Sequence, residues 1–279
     1  MKFGDLINYL DGEFPRDLSM PGDNDGVEVC VDYNLEIGRI LAVVDITFDV
    51  IDYAVTHGYN CILSHHPMIY QPLKKLDGSS AAARKAVMLA QNNICAASFH
   101  TRLDSVKGGV TDCLIHALDL AGDDKSAERA ESIEELFYEF ENNRIPVPIG
   151  RIVTLTEEVN LHDFISDAKK SLRRFYKIEL SCDTDFNLSL VNGGRNVKKI
   201  GLVGGSGIDF AKIAAKTGAD TFFTGEGKYS AILDLYESCG MNIITAGHFE
   251  TEAVVLPFIK EKITQKFPGA KVDCFIGEI

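Results

Sequence analysis

The chain has 279 residues, 46% hydrophobic and 25% charged, a soluble-globular composition with interior enough for one large domain or two moderate ones. Its 41 acidic against 28 basic residues leave a net charge of −13, which argues against nucleic acid as a partner. No apolar run approaches bilayer-spanning length, so no membrane segment is expected, and Met1-Lys2-Phe3-Gly4-Asp5 does not open like a secretory signal. Seven cysteines, widely scattered and without a Cys-x-x-Cys, fit buried thiols of a reducing compartment better than a disulfide framework or a cysteine zinc site. The expected location is cytoplasmic.

Phe3, Leu6, Ile7 and Leu10 recur at helical spacing. Pro21-Gly22 followed by Asp23-Asn24-Asp25-Gly26 marks a turn. The run Arg39 to Val44 predicts a parallel strand covered on both faces. Thr47-Phe48-Asp49 starts a helix that stops near Gly58. The next strand, from Asn60, ends in Ser64-His65-His66-Pro67. Neighbouring strand residues point to opposite sides and the proline blocks continuation, so both imidazoles reach one cavity only at the rim of a sheet. Open α/β sheets place their ligands at that rim. Residues 80–92 predict a helix and Ile94 to Phe99 a third strand, followed directly by His100-Thr101-Arg102-Leu103-Asp104. Gly108-Gly109-Val110 then leads into an apolar helix towards Leu120. This β-α-β-α-β order puts two ligand-bearing segments at consecutive strand ends.

Residues 122–142, with Glu131, Glu134, Glu135, Glu139 and Glu141, predict an acidic helix with a solvated face. Arg151 to Leu155 predicts a strand, Leu161 to Arg174 a helix with a solvated basic face, and Glu179 to Cys182 a short strand. From Lys199 the first pattern returns. A constant separation of 160 residues pairs Ile40 with Ile200, Val43 with Val203, Asp49 with Asp209, and Ile62-Leu63-Ser64 with Phe222-Phe223-Thr224. A helix around 228–238 and a strand, Met241 to Thr245, complete the copy before Gly247-His248-Phe249-Glu250-Thr251-Glu252. Each copy thus ends in His-x-x-x-carboxylate, His100 to Asp104 and His248 to Glu252, a spacing that brings both side chains to one helix face. Gly204-Gly205-Ser206-Gly207 follows a strand without the Lys-Ser/Thr of a P-loop, which favours a tight turn over a phosphate cradle. Glu226 is expected as a helix N-terminal carboxylate rather than a base. His57, His116 and His162 lack partners of this kind and are expected to be ordinary surface or core residues.

Imidazole and carboxylate without thiolate suit zinc, iron, manganese, cobalt or nickel. Two histidines at one strand end, an aspartate at the next and a His/Glu pair from the repeat suggest a two-metal rim suited to hydrolysis. Four segments occur in order: Ser64-His65-His66-Pro67, His100-Thr101-Arg102-Leu103-Asp104 with Gly108-Gly109-Val110, Thr224-Gly225-Glu226, and Gly247 to Glu252. Together they resemble the family of Ngg-interacting factor three-like proteins, the GTP cyclohydrolase 1 type 2 homologues. The resemblance implies an α/β fold of two similar lobes forming one two-lobed unit with a dinuclear metal site between them. Residues 1–125 would form the first lobe, 126–198 a connecting unit and 199–279 the second lobe. Two divalent metal ions per chain would be held by His65, His66, Asp104, His248 and Glu252, with His100 a neighbour or weak ligand. A ring-shaped homohexamer is implied as well. This chain departs from the family pattern at Gly22, where relatives commonly carry an aromatic, and at Phe249, where they often carry a polar ring. The expected activity is metal-dependent hydrolysis of a small, possibly nucleotide, GTP cyclohydrolase-like substrate. Metal delivery and a regulatory scaffold are the alternatives, and no catalytic residue is identified.

Overall fold

The computed structural model describes residues 1–121, 129–140 and 143–277, with the backbone alone for 138–140 and 143–146. The chain runs α1 (Phe3–Glu13), β1 (Gly26–Val29), β2 (Arg39–Val43), α2 (Phe48–His57), β3 (Cys61–Ser64), α3 (Ala81–Gln91), β4 (Cys95–Ser98), α4 (Thr101–Ser105) and α5 (Val110–Ala117). It continues with β5 (Ala130–Phe140), β6 (Asn143–Val159), α6 (Leu161–Glu179), β7 (Ser189–Val191), β8 (Val197–Val203), α7 (Ala211–Lys216) and β9 (Thr221–Thr224). Last come α8 (Tyr229–Cys239), β10 (Asn242–Thr245), α9 (His248–Glu252), α10 (Leu256–Lys266) and β11 (Lys271–Cys274). The fold is mixed α/β with two sheets. These lie in two compact units, one of Met1–Leu103 with the segment from Leu256 onward, the other of Asp104–Val255.

In the first unit the sheet order is β1-β4-β3-β2-β11, with only β1 antiparallel to its neighbour. β2, β3 and β4 are buried along their lengths apart from Arg39, as the apolar runs predict. Leu41, Val43, Ile62 and Ala96 pack with Val50, Ile51 and Ala54 of α2 and Leu89 of α3. Phe14 meets Phe99 and Phe258 at ring separations of 5.4 and 6.0 Å. The predicted limits of α2 have local causes. The Thr47 hydroxyl accepts from the Val50 amide at 3.1 Å, and Gly58 leaves the helix at φ +71°. The C-terminal segment, grouped by sequence with residues 199–279, closes the first sheet instead. β11 runs parallel to β2 with Val272 opposite Ile40, and Asp273 accepts from Arg39 and Tyr59 at 3.2 and 2.8 Å. Local patterning cannot reveal a strand partner more than two hundred residues away.

In the second unit the order is β5-β6-β8-β9-β10-β7, with β8, β9 and β10 parallel. The internal repeat holds in strand register: Ile40 lies opposite Cys61 and Ile200 opposite Thr221. The acidic stretch is a strand over 130–140 rather than a helix, while 122–128 and 141–142 lie outside the described residues. Glutamate favours helix by only a few tenths of a kcal/mol, about 0.5 at most, which an antiparallel ladder overrides. Here β5 pairs with Arg151, Ile152 and Val153 of β6, burying Leu136 while Glu131, Glu134 and Glu135 face out. Nor is Glu179 to Cys182 a strand. α6 runs to Glu179, Ser181 turns the chain at φ +54°, and the strand follows at Ser189. The basic face of α6 is partly neutralised within the unit, Arg173 by Asp183 and Asp185 and Arg174 by Asp119. No helix among the described residues is long and apolar enough to cross a membrane.

Candidate metal centre

β3 and β4 are parallel with Ser64 opposite Ser98, so His65-His66 and Phe99-His100 leave the first sheet side by side at its carboxyl edge. The His65 and His66 amides still donate to Val43 and Val44, and Phe99 to Ser64, which fixes this backbone. One ring nitrogen each of His65, His66 and His100 lies within 4.8 Å of the others. Every ring turns Nδ1 to an oxygen: the Phe99 carbonyl at 3.0 Å for His65, Asp45 at 2.9 Å for His66 and Asp23 at 2.8 Å for His100. A neutral imidazole so engaged donates from Nδ1 and carries its lone pair on Nε2, the state in which histidine ligates a metal. This all-nitrogen set fits a borderline divalent ion, and no disulfide links any of the seven cysteines.

The predicted turn at 23–26 holds this edge in place. Asp23 accepts from the His100 ring and from the Thr101 amide and hydroxyl. Burial alone would raise the Asp23 carboxyl, but those hydrogen bonds outweigh it and hold the group down at about 2. Asp25 accepts from the His100 amide at 3.1 Å and from Arg102 Nε at 2.8 Å. Arg102 is fully buried, also donates to Asp11 and the Phe14 carbonyl, and lies 4.5 Å over the Phe99 ring. Gly22, the departure noted above, sits at φ +86°, where an aromatic residue would be strained. Asp104 lies on α4, where the chain passes into the second unit. Sequence reasoning missed Asp45 and Asp23 as histidine partners. The available signal for Asp45 was its place just past β2, the strand beside the one that ends in the histidine pair.

The second unit repeats the layout with other donors. α9 begins at His248, after Gly247 at φ +93°. As the spacing predicts, His248 and Glu252 meet, Nε2 to Oε1, at 3.1 Å. His248 Nδ1 lies 3.0 Å from Glu226, so Glu226 orients a histidine and is not the helix N-terminal carboxylate expected. Its amide donates to the Gly205 carbonyl, which stops it short of α8 and turns its side chain to His248. The glycine loop is a tight turn. Its Gly205 and Gly207 amides donate to Thr251 and Thr224 and are spent within the fold. At Gly205, φ +59°, a Cβ would overlap the Glu252 carboxylate. Strand register fixes how the last segments of the repeat align. Ser98 corresponds to Thr245, so His100 matches Gly247 and His248 matches Thr101, leaving the two His-x-x-x-carboxylate pairs one residue out of step. His57, His116 and His162 are exposed on helices, as expected.

The family profile described as Duf34/NIF3 (NGG1p interacting factor 3) matches residues 1–278. The chain belongs to this family. Among its relatives is the GTP cyclohydrolase 1 type 2 homolog of Clostridium perfringens, 34% identical over 269 residues, 95% of this chain and 92% of that one. The Clostridium acetobutylicum protein of the same name is 31% identical over 254 residues, 90% of this chain and 85% of that one. Two solved structures share the fold. A Staphylococcus aureus protein superposes with TM-score 0.77 at 23% identity, covering 100% of this chain and 97% of its own. Reduced HcgD from Methanocaldococcus jannaschii does so with TM-score 0.77 at 23% identity, covering 98% and 97%.

Proposed function

We propose that this Duf34/NIF3 protein holds two divalent metal ions through His65, His66, Asp104, His248 and Glu252 and hydrolyses a small substrate. The observation that carries the reading is the set of imidazoles at the edge of the first sheet, each with Nδ1 on an oxygen acceptor and with ring nitrogens within 4.8 Å of one another. Packing alone would not require three rings to share one tautomer. The His248–Glu252 pair supplies the mixed nitrogen and oxygen donors of the second set. Metals bound there supply Lewis acidity and lower the pKa of water, the chemistry of hydrolysis. The chain's own groups do the positioning. Asp45 and Glu226 hold the Nδ1 protons of His66 and His248, and the tight turn at Gly205 makes room for Glu252. The name carried by the relatives makes GTP and other purine nucleotides the first substrates to try. Assembly as a ring-shaped homohexamer is part of the proposal and is checked by light scattering.

The test is turnover by protein loaded in turn with zinc, iron, manganese, cobalt and nickel. The reading predicts a metal-dependent product from at least one nucleotide, lost in His65→Ala and in Glu252→Ala. Metal-loaded protein that converts nothing across the panel would contradict hydrolysis and favour metal delivery.

A further inference from the structure

At the end of the first sheet away from the histidines, three thiols stand in a row across three strands. Cys61 and Cys95 are the first residues of β3 and β4 and lie opposite each other in the parallel register. β1 runs antiparallel to β4 with Val29 opposite Ala96, which brings the next residue, Cys30, opposite Cys95. Residues opposed in this way have Cα atoms about 4.5–5.5 Å apart, inside the roughly 4.4–6.8 Å that a disulfide spans. The Cys30 and Cys95 thiols are in hydrogen-bonding contact. They differ in access. β1 is the edge strand of its sheet and Cys30 is half-buried, whereas Cys95 and Cys61 are fully buried. Apolar filling accounts for Cys61 and Cys95, but an edge-strand thiol set against a buried one is the arrangement of an attacking and a resolving cysteine.

We infer that Cys30 and Cys95 are an oxidation-sensitive pair, which a hydroperoxide converts into a reversible disulfide that clamps β1 to β4. Nothing in the pair depends on the histidines, which leave the opposite edge of the sheet. The Cys30 sulfur attacks the peroxide, breaks its O–O bond and becomes a sulfenic acid, with release of one water or alcohol. The Cys95 sulfur then displaces hydroxide from Cys30, and the Cys95 proton leaves with that hydroxide as water. Two thiols lose two electrons and the peroxide gains them. A dithiol reverses the bond by exchange.

Burial and the neighbouring Cys95 push the Cys30 thiol up to about 11, so thiolate is scarce at neutral pH and oxidation is slow. The pair therefore responds to sustained oxidation, in keeping with the rarity of lasting disulfides in reducing compartments. The 23–26 turn leads directly into β1, and β4 leads into His100 and Arg102. The bond thus joins two segments that Asp23 and Asp25 already hold together. It also closes a long loop of chain, which favours the folded state.

The test takes the full chain, reduced and then freed of reductant, and exposes it to hydrogen peroxide. Remaining thiols are alkylated under denaturing conditions and the digest is mapped by mass spectrometry. A peptide pair joining Cys30 to Cys95, absent after dithiothreitol, is expected. Cys182 and Cys239, equally half-buried, should stay unbridged. The oxidised protein should unfold about 5 °C or more above the reduced one, a gain lost in Cys30→Ser. Wild-type protein in which Cys30 and Cys95 are both alkylated after peroxide would overturn the inference. So would a sulfinic acid on Cys30 with no bridge, and neither readout needs a variant to fold. A bridge that forms without raising the unfolding midpoint would overturn the clamp.

Discussion

The two β-α-β-α-β halves are one scaffold carrying two solutions to the same problem. Position 45 in the first half corresponds to 205 in the second, and 66 to 226, by the register that Ile40 with Cys61 and Ile200 with Thr221 establish. In the first half a carboxylate at 45 orients a histidine at 66. In the second, position 205 is glycine because Glu252 fills the space beside it, and the carboxylate has moved to 226, where it orients His248. The junction behind each histidine also differs. A buried ionic network through Arg102 holds the first, and close backbone approach at Gly205 with a hydrogen bond from its amide to Thr251 holds the second. A repeated fold thus conserves where side chains leave the sheet without dictating which atoms they present.

Breaking the ionic junction should have the largest effect. Arg102→Met leaves Asp25, nearly buried, without its counter-ion, and should cost about 3–5 kcal/mol in denaturant unfolding. The glycine junction is tested by Gly205→Ala, which places a Cβ in the Glu252 carboxylate at a left-handed φ. That change should cost about 1–3 kcal/mol in denaturant unfolding. Asp45→Asn keeps the shape but removes the charge behind His66. It should lower metal affinity by roughly ten- to hundredfold with little loss of stability, as read by chelator competition. Thr47→Ala removes the cap of α2 and should cost about 1 kcal/mol. α7, the matching helix, has no side-chain cap to lose.

The acid limb of metal-free protein tests the junction of the first half. Asp23 titrates at about 2 in the fold, below the roughly 3.9 of an unfolded chain. Its contribution is therefore complete above about pH 4 and is lost as the pH falls towards 2. Asp23→Asn should flatten the stability profile in that window, as read by denaturant unfolding across the acid range.

What the sequence disclosed followed from locality. The strand Cys61 to Ser64 is short, apolar and stopped by Pro67, so its two histidines had to lie at a sheet edge, where they are found. His248 and Glu252 were one helical turn apart by spacing, and they meet. The partners of those histidines were harder to see, because Asp45 acts on His66 from another strand and Asp23 on His100 from a turn far earlier in the chain. The acidic strand β5 was hidden because glutamate content says nothing of the ladder offered by β6. β11 was hidden because its neighbour, β2, lies near the other end of the chain.

Metal content per chain tests the central claim most directly, measured by mass spectrometry on untagged protein beside His65→Ala and Glu252→Ala. The account predicts two ions per wild-type chain and fewer in each variant. Folded wild-type protein that stays empty when offered zinc, iron, manganese, cobalt and nickel would contradict it.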